Sequence, residues 1–170
     1  MCRNTSINQF QYLQTIVEAL EEFYKKDREL LMSNRHTHEQ TVSFRVGMYL
    51  ANRLENKNNN MYVDCEYHGD VNNPAFRKVI NGERVRPDII FHDRNQRNEF
   101  CIEMKLHSVG HDTAKINGYI AKYNYREGYC IYNIGKKFVT ILAFSLSAPY
   151  TEVKLRYRFN KNTQGLENCM

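Results

Sequence analysis

The sequence predicts a single α/β domain with a central mixed sheet flanked by helices. Three observations predict it. Apolar residues recur at spacings of three and four in three separate segments, the mark of amphipathic helices. Between and after these segments lie short runs rich in β-branched and aromatic residues. No linker, repeat or low-complexity stretch divides the 170 residues, a length that suits one domain. The expected order is αβββαβ, preceded by an extra helix and followed by a C-terminal strand. The expected boundaries are an N-terminal helix over 7–32, a core over 37–145, and a strand with tail over 151–170.

The first helix carries the stripe Phe10, Leu13, Val17, Leu20 and Tyr24, with Glu18, Glu21, Glu22 and Lys25 between. Two heptads of such a stripe favour packing on the chain's own core over a coiled coil, although a homodimer through this helix is also open. Asn34 and Arg35 mark a break. Thr37 with Gln40 reads as a capping box opening the second helix, whose apolar face is Val42, Val46, Tyr49, Leu50 and Leu54. The polar run Asn56–Asn60 ends it.

Met61 to Tyr67 alternates, with Val63, Cys65 and Tyr67 on one face and Asp64, Glu66 and His68 on the other. A polar loop is expected through Gly69, Asn72-Asn73-Pro74 and Asn81-Gly82. Val85–His92 reads as a second strand, Asp93–Asn98 as a turn and Glu99–Leu106 as a third strand. Ser108 and Gly110 break the chain, and Asp112 can cap a helix bearing Ile116, Tyr119, Ile120 and Tyr123. Tyr129–Ile134, Phe138–Phe144 and Glu152–Phe159 read as further strands. The residues from Asn160 onward read as a frayed tail.

Composition narrows the function classes. Lys and Arg number 24 against 19 Asp and Glu, and the net charge of +5 permits a nucleic-acid partner without demanding one. The five cysteines, Cys2, Cys65, Cys101, Cys130 and Cys169, stand singly and make no CxxC, against a disulfide scaffold or a cysteine zinc finger. No run of 18 apolar residues and no cleavable leader is seen, so the expectation is a reduced, soluble, cytoplasmic protein, where the sequon at Asn4 has no meaning. P-loop, GxGxxG, HExxH and nucleophile-elbow motifs are absent.

The chemistry concentrates in Arg86-Pro87-Asp88-Ile89-Ile90-Phe91 and Phe100-Cys101-Ile102-Glu103-Met104-Lys105. On the third strand Glu103 and Lys105 share a face with Cys101 and His107. In an antiparallel hairpin Asp88 would come opposite Glu103 and Lys105. Two carboxylates brought together repel unless a proton or a cation lies between them. A hard divalent cation such as Mg2+ takes oxygen ligands from one or two carboxylates and keeps several waters. A lysine beside it can position water and offset negative charge at phosphorus. The plainer alternative is a cross-strand Glu–Lys pair on a wet sheet face.

Pro87-Asp88 followed by Glu103-Met104-Lys105 resembles the PD-(D/E)xK phosphodiesterase superfamily, the restriction endonuclease-like fold, across roughly residues 37–134. The resemblance implies Mg2+ or Mn2+ held by Asp88 and Glu103, with Lys105 as the catalytic lysine, and a DNA or RNA substrate. Members often carry an acid on the preceding helix. Glu39 suits that role, lying within about 20° of Val46 and Leu50 on the helix wheel; a first-turn Glu held by the helix dipole is the alternative. Glu66, more than Asp64, is a further candidate ligand. Lys115, Tyr119 and Lys122 on the third helix are candidate nucleic-acid contacts. The histidines, His36, His38, His107 and His111, lack zinc-site spacing. Two other functions stay open: a catalytically silent module of the same fold that binds nucleic acid or a protein, and a small-molecule enzyme using the same carboxylates. No appended recognition domain is evident, against stand-alone sequence-specific restriction.

Overall fold

The computed structural model describes residues 9–32, 38–57, 60–70, 76–107, 112–146 and 151–169. Three helices, α1 (Leu13–Lys26), α2 (Glu39–Leu54) and α3 (Asp112–Tyr123), surround one seven-stranded sheet. Its strands are β1 (Tyr62–Cys65), β4 (Ile89–His92), β5 (Asn98–Met104), β6 (Glu127–Tyr132), β7 (Val139–Ser145), β8 (Thr151–Asn160) and β9 (Gly165–Asn168), adjacent in that order. A separate hairpin pairs β2 (Val79–Ile80) with β3 (Glu83–Arg84). All neighbours in the large sheet are antiparallel except β5 and β6. A parallel pair needs a crossover, and α3 supplies it. The expectation of an α/β chain with helices flanking the sheet therefore holds, with a sheet that is mostly antiparallel.

Each face of the sheet has its own core. On one face α1 and α2 pack over Ile89, Phe91, Phe100, Ile102 and Met104. On the other, α3 and the β2–β3 hairpin cover Ile90, Cys101, Cys130, Leu142 and Phe144. The stripe Phe10, Leu13, Val17, Leu20 and Tyr24 is wholly buried in the first core, so these side chains leave no dimer seam. Burying an aliphatic side chain of this kind stabilises by roughly 1.5–3 kcal/mol. Polar bonds fasten the layer. Glu127 accepts the Gln11 N–H at 2.6 Å and the Tyr12 N–H at 3.2 Å. Asp27 accepts from Arg45 Nε at 2.9 Å and Nη2 at 2.7 Å, joining the end of α1 to α2.

The structure departs from the sequence expectations in several places. The first helix is shorter than 7–32: α1 ends at Lys26, and a separate 3-10 turn covers Arg28–Leu31. The residue before α2 is His38, without a side-chain cap; Thr37, Asn34, Arg35 and His36 lie outside the described residues. So do Asn72-Asn73-Pro74, Ser108, Gly110 and His111. The expected loop at Asn81-Gly82 is the turn of the β2–β3 hairpin, with φ of 51° and 82° at those residues. Positive φ at both central positions is what Asn-Gly favours, and such a turn matches the twist of paired strands. The expected strand from Val85 starts only at Ile89, because Pro87 has no N–H for a ladder.

Alternation along β1 stops at Glu66, whose φ is 56°. The reversal turns Tyr67 to the α3 side, against the His92 ring, away from Val63 and Cys65. The expected strand from Tyr129 begins at Glu127 and ends at Tyr132, before Asn133 at φ 61°. The residues after Asn160 form β9, not a frayed tail. Leu166 is buried there, and its N–H bonds Glu21 Oε1 at 2.8 Å. No helix among the described residues is long and apolar enough to cross a membrane.

Truncation after Asn160 is expected to lower the stability of the chain by about 2 kcal/mol or more, from loss of Leu166 burial alone. Urea denaturation measures it, and a truncated chain as stable as the full one would contradict the role given to β9.

Candidate functional site

Pro87 holds the chain extended into β4, and Asp88 follows it. Ile89 pairs with Ile102, so Asp88 stands beside Glu103 across the β4–β5 ladder. The backbone fixes Asp88 twice. Its Oδ2 accepts the Met104 N–H at 2.6 Å, and its carbonyl accepts the Glu66 N–H at 3.0 Å. Glu103 is only 3% exposed and points to the α3 face. Tyr119 Oη donates to its Oε1 at 3.0 Å. Lys115 Nζ lies 3.9 Å from its Oε2 and 3.4 Å from Asp112 Oδ1. Asp112 is buried, and its Oδ2 has no hydrogen-bond partner among the described residues. Lys105 leaves the end of β5 and pairs with Glu39 Oε2 at 3.2 Å.

Burial dominates the electrostatics. It pushes Asp88 up to about 6, against the pull of the Met104 N–H and the Lys105 charge. Burial also pushes Glu103 up to about 8, and the Asp88 carboxylate adds to the effect while Lys115 opposes it. The Asp88 carboxylate thus disfavours the ionised form of Glu103, while Glu66 and Glu39 act on Asp88 in the same sense. Lys105 is held protonated. Partial burial opposes its charge, but the bond to Glu39 and the carboxylates of Asp112 and Asp88 outweigh it. It is therefore a cation and a hydrogen-bond donor here, not a base.

No family model, curated protein or solved structure matches the chain. The site must be read from its own geometry.

That geometry gathers part of the expected set. Asp88 stands beside Glu103, which Tyr119 and Lys115 reach, while Lys105 pairs with Glu39 and feels the Asp88 carboxylate. Glu66 sits at the border of this set, in an ion pair with Arg86. Asp64 is spent elsewhere. His92 Nε2 is 2.9 Å from it and Arg94 Nη2 is 2.7 Å from it, and these bonds overcome burial to hold its carboxyl well below the usual range. Lys122 does not reach the site, because its Nζ donates to the Val79 carbonyl at 2.8 Å on the hairpin. His107 is exposed at the end of β5, and His38 is exposed before α2.

Among the described residues no three His, Cys, Asp or Glu side chains come together as a metal-binding group. The four-carboxylate set of Asp88, Glu103, Glu39 and Glu66 is thus not assembled: Glu39 is turned to Lys105 and Glu66 to Arg86. The pair Asp88 and Glu103 is what could hold a cation. Two adjacent acids, both pushed toward neutrality chiefly by burial, suit one hard divalent ion, which needs no more than two carboxylates and completes its shell with water.

Two buried charged residues escaped the sequence reading, the first of them at this site. Asp112 read only as a helix cap, yet it faces Glu103 through Lys115. Lys78 read as loop, yet it is fully buried, 4.8 Å from the Tyr67 ring centroid, and donates to the Gly69 carbonyl. Burial pushes it down to about 8. A helix-start aspartate can be suspected from its apolar neighbours; Lys78 gave no signal.

The raised acids set a pH dependence for the metal-free chain. Protonated Asp88 and Glu103 favour the folded state, so their contribution is full below about pH 4, the ordinary carboxylate range. It is lost as pH rises through about 6 for Asp88 and about 8 for Glu103. Glu103→Gln should therefore melt close to wild type at acidic pH and above it at alkaline pH without metal. A variant that melts below wild type at alkaline pH would show that Glu103 is not under this repulsion.

Proposed function

We propose that this chain is a metal-dependent phosphodiesterase acting on nucleic acid, on the PD-(D/E)xK, restriction endonuclease-like pattern. The observation that carries the reading is the Asp88–Glu103 pair: a half-buried and a buried acid side by side, each driven toward neutrality, with protonated Lys105 at the rim. The mixed sheet with α2 on one face and α3 on the other supports it, as does the αβββαβ order once the small hairpin is set aside. Mg2+ or Mn2+ would be held by Asp88 and Glu103, supplying Lewis acidity at the phosphoryl oxygen and a water of lowered pKa. Lys105 donates to the attacking water or to a phosphoryl oxygen and offsets the charge gathering at phosphorus. Glu39 holds Lys105 in place, and Tyr119 fixes the Glu103 carboxylate. Lys115 offers a phosphate contact at the open side of the pair. Free thiols at Cys65, Cys101, Cys130 and Cys169 suit a reducing compartment such as the cytoplasm.

One observation favours a second reading, a silent module that only binds. Lys105 and Lys115 already pair with Glu39, Asp112 and Glu103, so the acids are compensated by the chain's own cations. Cleavage separates the two. Labelled DNA and RNA, single-stranded and duplex, are incubated with Mg2+ or Mn2+. Asp88→Asn, Glu103→Gln and Lys105→Ala should each lower the rate by about a hundredfold or more while the far-ultraviolet spectrum stays that of wild type. A wild-type chain that binds these strands and cuts none of them would leave the silent module standing.

A further inference from the structure

A second charged feature lies on the same sheet face as Glu103. The ladder runs Glu103, Cys130, Leu142, Lys154 from β5 to β8, so these side chains share one face. The next row outward runs Tyr132, Thr140, Arg156. Strands are about 4.8 Å apart, so Lys154 stands roughly 14 Å from Glu103 along the ladder. The α3 helix covers β5 and β6, and beyond it Lys154 and Arg156 are exposed. Lys136 and Lys137, on the turn from β6 to β7, close the far side of a hollow of about 350 Å3.

The hollow is basic throughout. Lys136, Lys137, Lys154 and Arg156 line it with no acidic side chain among the lining residues, and none of the four pairs with a carboxylate among the described residues. Several cations elsewhere pair with acids, as Arg45 does with Asp27 and Arg94 with Asp64. Four uncompensated cations gathered within one hollow repel each other and call for an anion. The aromatic content is equally specific. Phe138 lies under two of the cations, with the Arg156 guanidinium 4.7 Å and Lys137 Nζ 5.5 Å from its ring centroid. Tyr132 lines the same hollow. Cations interleaved with partly exposed rings are what a single nucleic-acid strand uses: phosphates meet the charges and unpaired bases stack on the rings.

We infer that the basic hollow at the ends of β6–β8 binds a single polynucleotide strand, whose track reaches the Asp88–Glu103 site along the Tyr132 edge of the sheet, outside the buried Cys130 and Leu142. This rests on the phosphodiesterase reading for its direction, and it adds where the strand outside the reacting bond is held. The track acts on binding and leaves the bond-breaking step alone.

The test pairs a long substrate with a small one. Lys154→Gln/Arg156→Gln and Phe138→Ala are compared with wild type on a nitrophenyl phosphodiester, which reaches only the carboxylate site, and on a long labelled oligothymidylate. Both variants should hydrolyse the small diester at the wild-type rate. The double variant should bind the long strand about tenfold more weakly, and its slope of log K against log salt should fall by about 1.4, near 0.7 per charge removed. Phe138→Ala should weaken the same strand about fivefold, the loss of one stacked base. Wild-type affinity and salt slope in both variants would overturn the track while leaving the phosphodiesterase reading intact. Strand binding that shows the variant effects in a chain that turns over neither substrate would support the track and sink the enzyme. A duplex weakened as strongly as the single strand would overturn the single-strand assignment.

Discussion

Two carboxylates share a position across the β4–β5 ladder, and most of the surrounding structure can be understood as what it takes to keep them there. Asp88 and Glu103 stand side by side because Ile89 pairs with Ile102. Glu103 is enclosed, and half-buried Asp88 is tied through one oxygen to the Met104 N–H. Burying one unpaired charge is costly, and burying two of like sign adds their repulsion. The neighbours answer that cost in different ways. Tyr119 gives a hydrogen bond, Lys115 and Lys105 bring positive charge near, and Glu39 and Asp112 in turn anchor those lysines. The order is two acids, cations beside them, and a second pair of acids holding those cations.

Holding such a cluster requires helices that sit at fixed heights on the sheet. Two glycines allow this. A Cβ on Gly47 of α2 would come within 2.4 Å of Cys65 Sγ, and one on Gly128 of β6 within 2.4 Å of the Ile116 side chain of α3. Close approach at these points brings the starts of α2 and α3 to the ends of β4 and β5, where Glu39 and Lys115 act. The latches at Asp27 and Glu127 then fix α1 beside α2 on the sheet. Glu39, Glu103, Lys115 and Tyr119 are thereby carried on elements whose positions are set by packing remote from them.

Much of this could be read from the residues in order. The helical stripes identified the buried faces of all three helices, and alternation along β5 gave the shared direction of Cys101 and Glu103 correctly. Local pattern failed where backbone conformation or distant partners decide. Glu66 adopts a left-handed conformation, and one such residue is enough to throw Tyr67 onto the opposite face. Asp64 stood second to Glu66 as a candidate ligand, and the partners that decide its place, His92 and Arg94, lie some thirty residues on. The tail after Asn160 has few apolar residues, and only pairing with β8 and the contact with Glu21 make it a strand. Asn81-Gly82 is the instructive case, since the hairpin signal was present and its short flanking strands hid it.

The single parallel pair in the sheet has a mechanical consequence. β5 and β6 run the same way and so leave the sheet at the same edge. Their outgoing segments are laced together there: Asn133 N–H bonds the His107 carbonyl at 2.7 Å, and Gly135 N–H bonds the Leu106 carbonyl at 3.3 Å. One of these segments begins with Lys105 beside the acids; the other leads directly to Lys136 and Lys137 at the basic hollow. The interval between the two is therefore set by main chain rather than by adjustable side chains. A polymer gripped at the hollow would meet the acids at a constant offset, as stock held in a jig meets the blade.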